Sequence, residues 1–306
     1  MILKRWQKEG LNTTASAENS NILLSFDVED WFQVENFRAC ISRDTWDTRE
    51  LRVFGNTQKI LDLLDSFDHT PKATFFILGW VARKVPELVR AVAEKGHEVA
   101  SHGYHHDLVD TLDRRRFLED LRYSKHLLED ISGRAVNGYR APNFSISQDT
   151  IHLVKEAGYR YDSSYNSFGS HGRYGKLDLS GHRKYSGVVE MGRDFYEVPV
   201  SNFSLGKKVL PIGGGGYFRL FPFPFFRSGM RSVLDRDKTF VFYAHPWEFD
   251  PDQPRVTDAP RSFRFRHYVN LNSTAMKLSK LIQSFASSRF TTINSHLDTL
   301  AALKGA

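Results

Sequence analysis

Acidic side chains follow directly on a short apolar run near the start of the chain. The run at residues 22–24 is Ile-Leu-Leu, and it leads into Ser-Phe-Asp-Val-Glu-Asp-Trp at residues 25–31. An apolar run that turns abruptly acidic is typical of a buried parallel strand that brings polar groups to its C-terminal end. Because side chains alternate along a strand, Asp27 and Glu29 share one face, and Asp30 begins the following loop. Such carboxylates can bind a metal ion or move a proton, although solvated acids at a strand end are an equally simple interpretation.

Two histidines, His102 and His106, follow the predicted strand at residues 98–101. Their spacing can place both imidazoles on one face of a helical turn. Together with one carboxylate they would leave coordination positions open for water, as a hydrolytic metal site requires. A histidine pair alone is weak evidence, because neutral histidines are common in cores and on surfaces. Its place after a strand of the same half of the fold predicts that the pair meets the first acidic cluster.

Three further polar residues follow predicted strands. Arg140 comes after a strand near residues 135–139, where a guanidinium facing the acidic cluster would be a salt-bridge partner that keeps a carboxylate ionised. Asp162 also lies where a strand ends. His245 follows the apolar run at residues 239–244 and is the natural candidate for a general acid.

Strands and helices alternate along the part of the chain that must position these residues. Strands are predicted at residues 22–29, 73–78, 98–101, 135–139, 188–191, 196–200, 239–244 and 290–293, and helices at residues 56–67, 86–95, 117–131, 150–157, 273–285 and 294–303. The alternation predicts an α/β fold with right-handed crossovers and a parallel sheet or barrel. Residues 1–20 are predicted to be a polar tail, and residues 21–306 a single domain in which residues from about 170 onward pack on the barrel as an extension.

Composition limits the function classes. The 306 residues are 41% hydrophobic and carry a net charge of +6, and Cys40 is the single cysteine, so a disulfide framework and a cysteine-cluster zinc site are excluded. The scattered basic residues without a nucleic-acid motif predict no nucleic-acid partner, although an anionic glycan or lipid head group near a membrane surface would fit. The cysteine usage and the polar first residues predict a cytoplasmic protein, and the oligomeric state is not predicted.

Four strand-end motifs in this order resemble the motif series of the NodB-homology polysaccharide deacetylases, carbohydrate esterase family 4. They are the acidic cluster at residues 27–30, the histidines at residues 102–106, Arg-Ala-Pro at residues 140–142 and Tyr-Ala-His at residues 243–245. Further stretches, at residues 213–218, 245–254 and 266–271, look like the deacetylases encoded with bacterial exopolysaccharide systems, which carry a C-terminal extension. The resemblance reaches from about residue 21 to the end.

The resemblance implies a distorted (β/α) barrel that removes N-acetyl groups with one divalent metal ion, most often zinc. Carried over by position, Asp27 is the general base, Arg140 its partner and His245 the acid that protonates the departing amine. His102 and His106 are implied metal ligands. The implied site is completed by a backbone N–H of Asn143 at the oxyanion, by Trp31 and Trp247 as substrate contacts, and by Asp162 or Glu197 as the residue that tunes His245.

The first motif departs from the family pattern, which has two adjacent aspartates. Here Asp27 is followed by Val28 and Glu29, so either Glu29 or Asp30 supplies the metal carboxylate, and alternation along the strand favours Glu29. Asn143 stands where an aromatic residue usually follows Arg-x-Pro.

The predicted function is therefore a metal-dependent hydrolase that deacetylates N-acetylhexosamine units of a bacterial polysaccharide or of its lipid-linked precursor. A related amidohydrolase acting on a small non-peptide amide and a non-catalytic glycan-binding relative are the alternatives.

Overall fold

The structure is a computed structural model, and it describes residues 20–168, 175–205 and 208–305. Nearly all of the predicted polar tail, residues 1–19, lies outside the described residues. Residues 169–174, part of a glycine-rich stretch, also lie outside them. Within the described residues, no helix is long and apolar enough to cross a membrane.

All but two of the strands in the described residues form one large, mostly parallel sheet, and the ninth and tenth form a separate antiparallel pair. The strand bounds are β1 Asn21–Val28, β2 Ala73–Ile77, β3 Glu98–Ser101, β4 Gly138–Tyr139, β5 Tyr161–Asp162, β6 Arg183–Tyr185, β7 Val188–Gly192, β8 Phe195–Glu197, β9 Phe203–Leu205, β10 Lys208–Leu210, β11 Thr239–Ala244 and β12 Arg289–Phe290. The sheet order is β11-β1-β2-β3-β4-β5-β8-β7-β6, with β12 also paired to β1. Pairing is parallel from β11 to β8, whereas β6, β7 and β8 form an antiparallel meander.

The central strand β1 is an almost continuous apolar run because both of its faces are buried, as in other parallel sheets. It pairs with β2 on one side and with β11 on the other, so Asp27 and His245 reach the same end of the sheet. Loops close the gap beyond β11. The N–H of Ser201 donates to the carbonyl of Val241 (3.2 Å), and the N–H of Tyr243 donates to that of Gly213 (2.8 Å). The expected α/β fold with a distorted barrel is confirmed.

Helices cover the outside of the sheet. Their bounds are Val53–Asp65, Gly79–Lys84, Pro86–Glu94, Arg114–Ser132, Ile151–Glu156, Gly215–Leu220, Phe223–Asp237, Arg261–Tyr268, Thr274–Ser284 and Ile293–Gly305. The predicted helices are all present with ends shifted by a few residues. The short helices at Gly79–Lys84, Gly215–Leu220 and Arg261–Tyr268 were not predicted, nor was Phe223–Asp237, where repeated Phe and Pro residues hide the helical period.

Candidate metal centre and active site

Glu29, His102 and His106 converge at the C-terminal ends of β1 and β3. Each offers one ligand atom, and these atoms all lie within 4.8 Å of one another. All three side chains are buried. A buried carboxylate with two imidazoles is a donor set that a divalent ion such as zinc accepts, and three protein ligands leave a position for water or substrate.

The chemistry of these donors fits a bound cation. Burial lowers the pKa of His102 to about 4, so its ring is neutral, and its Nδ1 donates to the carbonyl of Arg140 at 2.8 Å. That bond leaves Nε2 with the lone pair a metal requires. Burial alone would raise the pKa of Glu29, but His106 and the neighbouring histidines hold it at about 2. Its buried Oε2 lies 3.0 Å from Nε2 of His106 and accepts no aligned hydrogen bond.

A tight loop brings the two histidines together, not the helical turn that their spacing suggested. Residues 102–107 are not helical, and Gly103 (φ 72°) and His106 (φ 58°) both adopt left-handed backbone conformations. The ring centroids of His102 and His106 are 5.3 Å apart. Glycine adopts this backbone without penalty, whereas the conformation at His106 costs free energy that the surrounding packing must offset.

Asp30, the alternative metal carboxylate, is not brought into this group. Its Oδ2 accepts the backbone N–H groups of Arg52 (2.7 Å) and Val53 (2.9 Å), and its Oδ1 accepts that of Trp31 (2.8 Å). Asp30 therefore satisfies donors at the start of the helix Val53–Asp65, facing away from the histidines. Glu29 and Asp30 lie directly after β1, and their side chains meet different partners, as the alternation of an extended chain predicts.

Asp27 is paired with a fully buried arginine. Nη1 of Arg140 donates to Oδ1 of Asp27 (2.7 Å) and to the hydroxyl of Ser25 (2.9 Å). The rest of the guanidinium is fixed by Ser163, through its carbonyl oxygen (3.0 Å) and its hydroxyl (2.9 Å). This charge pair holds one oxygen of Asp27 in place, and the other oxygen remains for proton transfer.

His245 is held by Glu248, a residue that the sequence reasoning missed. Oε1 of Glu248 accepts both the backbone N–H (3.0 Å) and the ring Nδ1–H (2.9 Å) of His245. Oε2 of Glu248 accepts Nε–H of the buried Arg219 at 2.6 Å. The His-Pro-Trp-Glu sequence was the available signal. A 3₁₀ turn at Pro246–Phe249 brings Glu248, three residues after His245, back to the histidine.

Burial by itself would lower the pKa of His245. The hydrogen bond to Glu248 and the charge of Glu29 outweigh burial and raise this pKa to about 9. Nε2 of His245 lies 3.6 Å from Oε1 of Glu29, so the ring faces the candidate metal ligands. His245 is therefore placed and charged to donate a proton at neutral pH.

Asp162 and Glu197, the residues expected to tune His245, do not touch it. Asp162 accepts the N–H (3.0 Å) and the hydroxyl (2.7 Å) of Ser164, and Glu197 accepts the N–H of Tyr165 (2.9 Å). Both carboxyls are fully buried, and burial raises both of their pKa values. That expectation is wrong, because Asp162 lies in β5 and Glu197 in β8. The carboxylate that contacts His245 is Glu248, in the turn after β11.

The two predicted tryptophans have different places. Trp247 lines the site, donates its indole N–H to Oε1 of Glu29 (3.2 Å) and stacks on His267 with ring centroids 4.0 Å apart. Trp31 is not part of the pocket lining, because its indole N–H donates to the carbonyl of Glu50 (3.2 Å) and its ring packs on Phe32. The structure thus contradicts the expectation that Trp31 contacts substrate.

Asp27, the three candidate metal ligands, His245, Glu248 and Trp247 line one pocket of about 190 Å³, which also includes Asn143. Asn143 has a left-handed backbone conformation (φ 51°) directly after Pro142. A second cavity of about 550 Å³ adjoins the pocket and shares Val34, Glu35 and His106 with it. A substrate larger than a single sugar unit therefore has space beside the candidate metal ligands.

Comparison with family models finds two adjacent matches. Residues 45–161 match the polysaccharide deacetylase family, and residues 163–297 match a domain of unknown function, DUF3473. The first match contains the two histidines and Arg140. The acidic residues of β1 precede it, and His245 falls in the second match. Both matched regions contribute strands to the same sheet.

Curated relatives match only part of the chain. A peptidoglycan deacetylase-like protein of Gibberella zeae is 34% identical over 106 residues, which are 35% of this chain and 31% of that protein. A peptidoglycan deacetylase of Helicobacter pylori is 32% identical over 112 residues, 36% of this chain and 38% of that protein. The chain therefore spans about a third of the length of these relatives.

Solved structures share the fold along most of the chain. A protein of Mycobacterium smegmatis named as a candidate polysaccharide deacetylase superimposes with a TM-score of 0.59, at 18% identity over 96% of this chain and 94% of that one. The PuuE allantoinase superimposes with a TM-score of 0.56, at 16% identity over 94% of this chain and 93% of that one. At these identities the similarity establishes the fold alone.

Proposed function

We propose that the chain is a metal-dependent hydrolase of N-acetylated glycans, because its residues 45–161 match the polysaccharide deacetylase family. It removes N-acetyl groups from N-acetylhexosamine units of a bacterial polysaccharide or of its lipid-linked precursor. The observation that carries the proposal is that three groups line one pocket: Asp27, the ligand group of Glu29 and the two histidines, and His245 with Glu248. The buried Arg140 holds Asp27 in place there.

The proposed metal ligands are Glu29, His102 and His106, and zinc is the proposed ion because two neutral imidazoles and a carboxylate suit it. Bound there, a zinc ion supplies Lewis acidity that polarises an acetamide carbonyl and lowers the pKa of water. The Nδ1 bond of His102 to the carbonyl of Arg140 keeps the correct tautomer for such a ligand.

The protein's own groups move the protons. Asp27, fixed by Arg140 through one oxygen, accepts the proton of the attacking water on the other. His245, whose charge is maintained by Glu248, donates a proton to the nitrogen of the departing amine. The backbone N–H of Asn143 is the proposed donor to the oxyanion, because backbone donors fixed in place stabilise the charge that develops there.

The cavities bear on substrate size. The pocket of about 190 Å³ can hold one sugar unit's acetamide end, and the adjoining cavity of about 550 Å³ gives room for neighbouring units. This favours a glycan over the second candidate, a small amide. That second candidate has one supporting observation, the shared fold with an allantoinase.

Acetate release tests the proposal. We expect the zinc-loaded chain to release acetate from N-acetylated chito-oligosaccharides, with the rate rising with the number of sugar units. Asp27→Asn and His245→Ala should each lower the rate by about a hundredfold or more. Glu119→Gln, a change at an exposed residue on the helix Arg114–Ser132, is the control and should leave the rate unchanged. Turnover of allantoin without oligosaccharide turnover would support the small-amide candidate, and binding of glycan without turnover would support a non-catalytic relative.

The placement among exopolysaccharide-system deacetylases and residence in the cytoplasm stay predictions. The expected extension beyond the deacetylase match coincides with residues 163–297, which match DUF3473.

A further inference from the structure

Two long segments near the C-terminus contain no acidic residue. Residues 198–234 and 259–297 carry eleven lysines and arginines and no aspartate or glutamate. The formal charge of +6 therefore comes from these two segments, and the remainder of the chain is net acidic. Arg219 is buried and paired with Glu248, so the positive potential at the surface of these segments comes from their other basic residues.

The two segments pack against each other. Nζ of Lys277 donates to the carbonyl oxygens of Phe218 (3.2 Å), Arg219 (2.8 Å) and Phe221 (3.0 Å). Nδ2 of Asn270 donates to the carbonyl of Arg219 at 3.0 Å. Arg219 also donates to the carbonyl oxygens of Arg266 (3.1 Å) and His267 (2.9 Å), so the helices Gly215–Leu220, Arg261–Tyr268 and Thr274–Ser284 are neighbours in this region.

Large apolar side chains are exposed in this same region. Leu220 is 44% exposed, Phe225 40%, Phe265 59% and Met276 53%. Rings also follow one another along the surface, from Tyr217 to Phe221 (centroids 5.9 Å apart) and from Phe221 to Phe225 (5.2 Å). Exposed apolar side chains grouped with arginines are unusual on a free surface and mark a binding face.

The helix Arg261–Tyr268 combines both properties. Its sequence, RSFRFRHY, has three arginines and no acid, and Phe265 is its most exposed aromatic residue. Arg266, which follows Phe265 in this helix, lines the candidate active-site pocket, and so does Gly216 of the neighbouring helix Gly215–Leu220. The basic and apolar region therefore borders the mouth of that pocket.

We propose that this region, the interfacial surface, binds the headgroup layer of an anionic phospholipid bilayer. It consists of Leu220, Phe221, Phe225, Arg261, Arg264, Phe265 and Met276. An anionic polysaccharide would engage the arginines and stack on the phenylalanine rings but would leave an exposed leucine and methionine without a partner, whereas a bilayer interface takes up all of these side chains. The consequence for catalysis rests on the proposed function: the pocket mouth would face the headgroups that carry a lipid-linked glycan.

Sedimentation with vesicles tests the interfacial surface. We expect the wild-type chain to pellet with vesicles of equimolar phosphatidylcholine and phosphatidylglycerol, to stay in solution with phosphatidylcholine alone, and to bind less at high salt. In the variant Arg261→Gln/Arg264→Gln/Phe265→Ser the partition coefficient should fall by about tenfold or more. Far-UV circular dichroism and the unfolding midpoint verify that the variant is folded.

Two further variants separate local surface from net charge. Arg114→Gln/Arg115→Gln/Arg116→Gln removes three exposed charges at the start of the helix Arg114–Ser132 and should retain binding. Phe225→Ser/Met276→Ser changes no charge and should weaken binding that persists at high salt. No substrate is present, so vesicle binding is decided separately from deacetylase activity.

Several results would overturn the proposal. A wild-type chain that stays in solution with both vesicle types contradicts it, and so does an equal loss of binding in the two arginine variants. Capture by soluble polygalacturonate without any binding to vesicles would identify the occupant as an anionic polysaccharide instead.

Discussion

Nδ1 of His245 lies 2.9 Å from Oε1 of Glu248, and the other carboxylate oxygen of Glu248 is held by Arg219 at 2.6 Å. Arg219 also donates to the carbonyl oxygens of Arg266 (3.1 Å), His267 (2.9 Å) and Val269 (2.6 Å). A single buried guanidinium thus ties the histidine that faces the candidate metal ligands to the C-terminal part of the chain. The DUF3473 region therefore takes part in forming the site.

The first prediction concerns Glu248→Gln. A neutral amide keeps the shape of the side chain but removes the charge that favours protonated His245, so kcat should fall by about ten- to a hundredfold with little change in KM. Steady-state kinetics on an N-acetylated oligosaccharide measure this. Glu197→Gln, at the buried carboxyl first considered for this role, is the control, and an equal loss of kcat in both variants would contradict the assignment.

The second prediction uses two adjacent glycines. A Cβ added at Gly215 would overlap the carboxylate of Glu248, whereas one added at Gly216 meets nothing within 4 Å. Gly215→Ala should therefore displace the carboxylate, lower kcat by about tenfold and destabilise the fold by about 1–3 kcal/mol. Gly216→Ala should unfold like wild type and keep Glu248 in place. Steady-state kinetics and thermal unfolding of both variants test this prediction. Equal kcat and equal stability of the two variants would show that Glu248 does not need its observed position.

The third prediction concerns Asp30. Its carboxylate accepts three backbone N–H groups, so Asp30→Ala leaves buried donors unpaired and should destabilise the fold by about 2–4 kcal/mol. Urea unfolding measures the loss. A variant as stable as wild type would contradict a structural role.

The fourth prediction is a pH dependence of stability at Asp120. Burial raises the pKa of Asp120 to about 7, although its oxygens accept the N–H of Tyr104. A carboxyl with a raised pKa in the folded state favours folding at low pH, and this contribution is lost as the pH rises from about 4 through about 7. Asp120→Asn keeps an acceptor without the charge. Its free energy of unfolding relative to wild type should therefore increase by about 1–2 kcal/mol when the pH is raised from 5 to 8. Unfolding measured at both pH values tests this, and a constant difference would contradict the raised pKa.

Most of the sheet could be predicted from local patterns. The strands β3 and β11 begin and end at the predicted residues. β11 is a short apolar run bounded by polar residues, and β3 follows the turn at Gly96 that ends the preceding helix. The two-residue strands β4 and β5 are poorly defined by sequence because only their register with neighbours makes them strands. The helix Phe223–Asp237 was missed since Pro at residues 222 and 224 is typical of both a helix start and a loop.

The candidate site was predictable where one strand carries the information. Alternation along β1 separates Glu29 from Asp30, and the structure shows these two side chains facing different partners. Glu248, the partner of His245, was not predictable from strand ends. Its position depends on the turn that folds it back over His245 and on Arg219, which lies 29 residues before Glu248 in the sequence. The buried place of Trp31 depends in the same way on packing with distant residues.

Metal content of the purified chain tests the central claim most directly. Elemental analysis after loading with zinc and removal of excess ion should find about one metal ion per wild-type chain. Glu29→Ala and His102→Ala should each lose it, whereas Asp30→Ala, despite its lower stability, should retain it. A wild-type chain that binds no zinc, cobalt or nickel would contradict the proposed metal centre. Loss of metal with Asp30→Ala but not with Glu29→Ala, in folded protein, would contradict the assignment of its carboxylate.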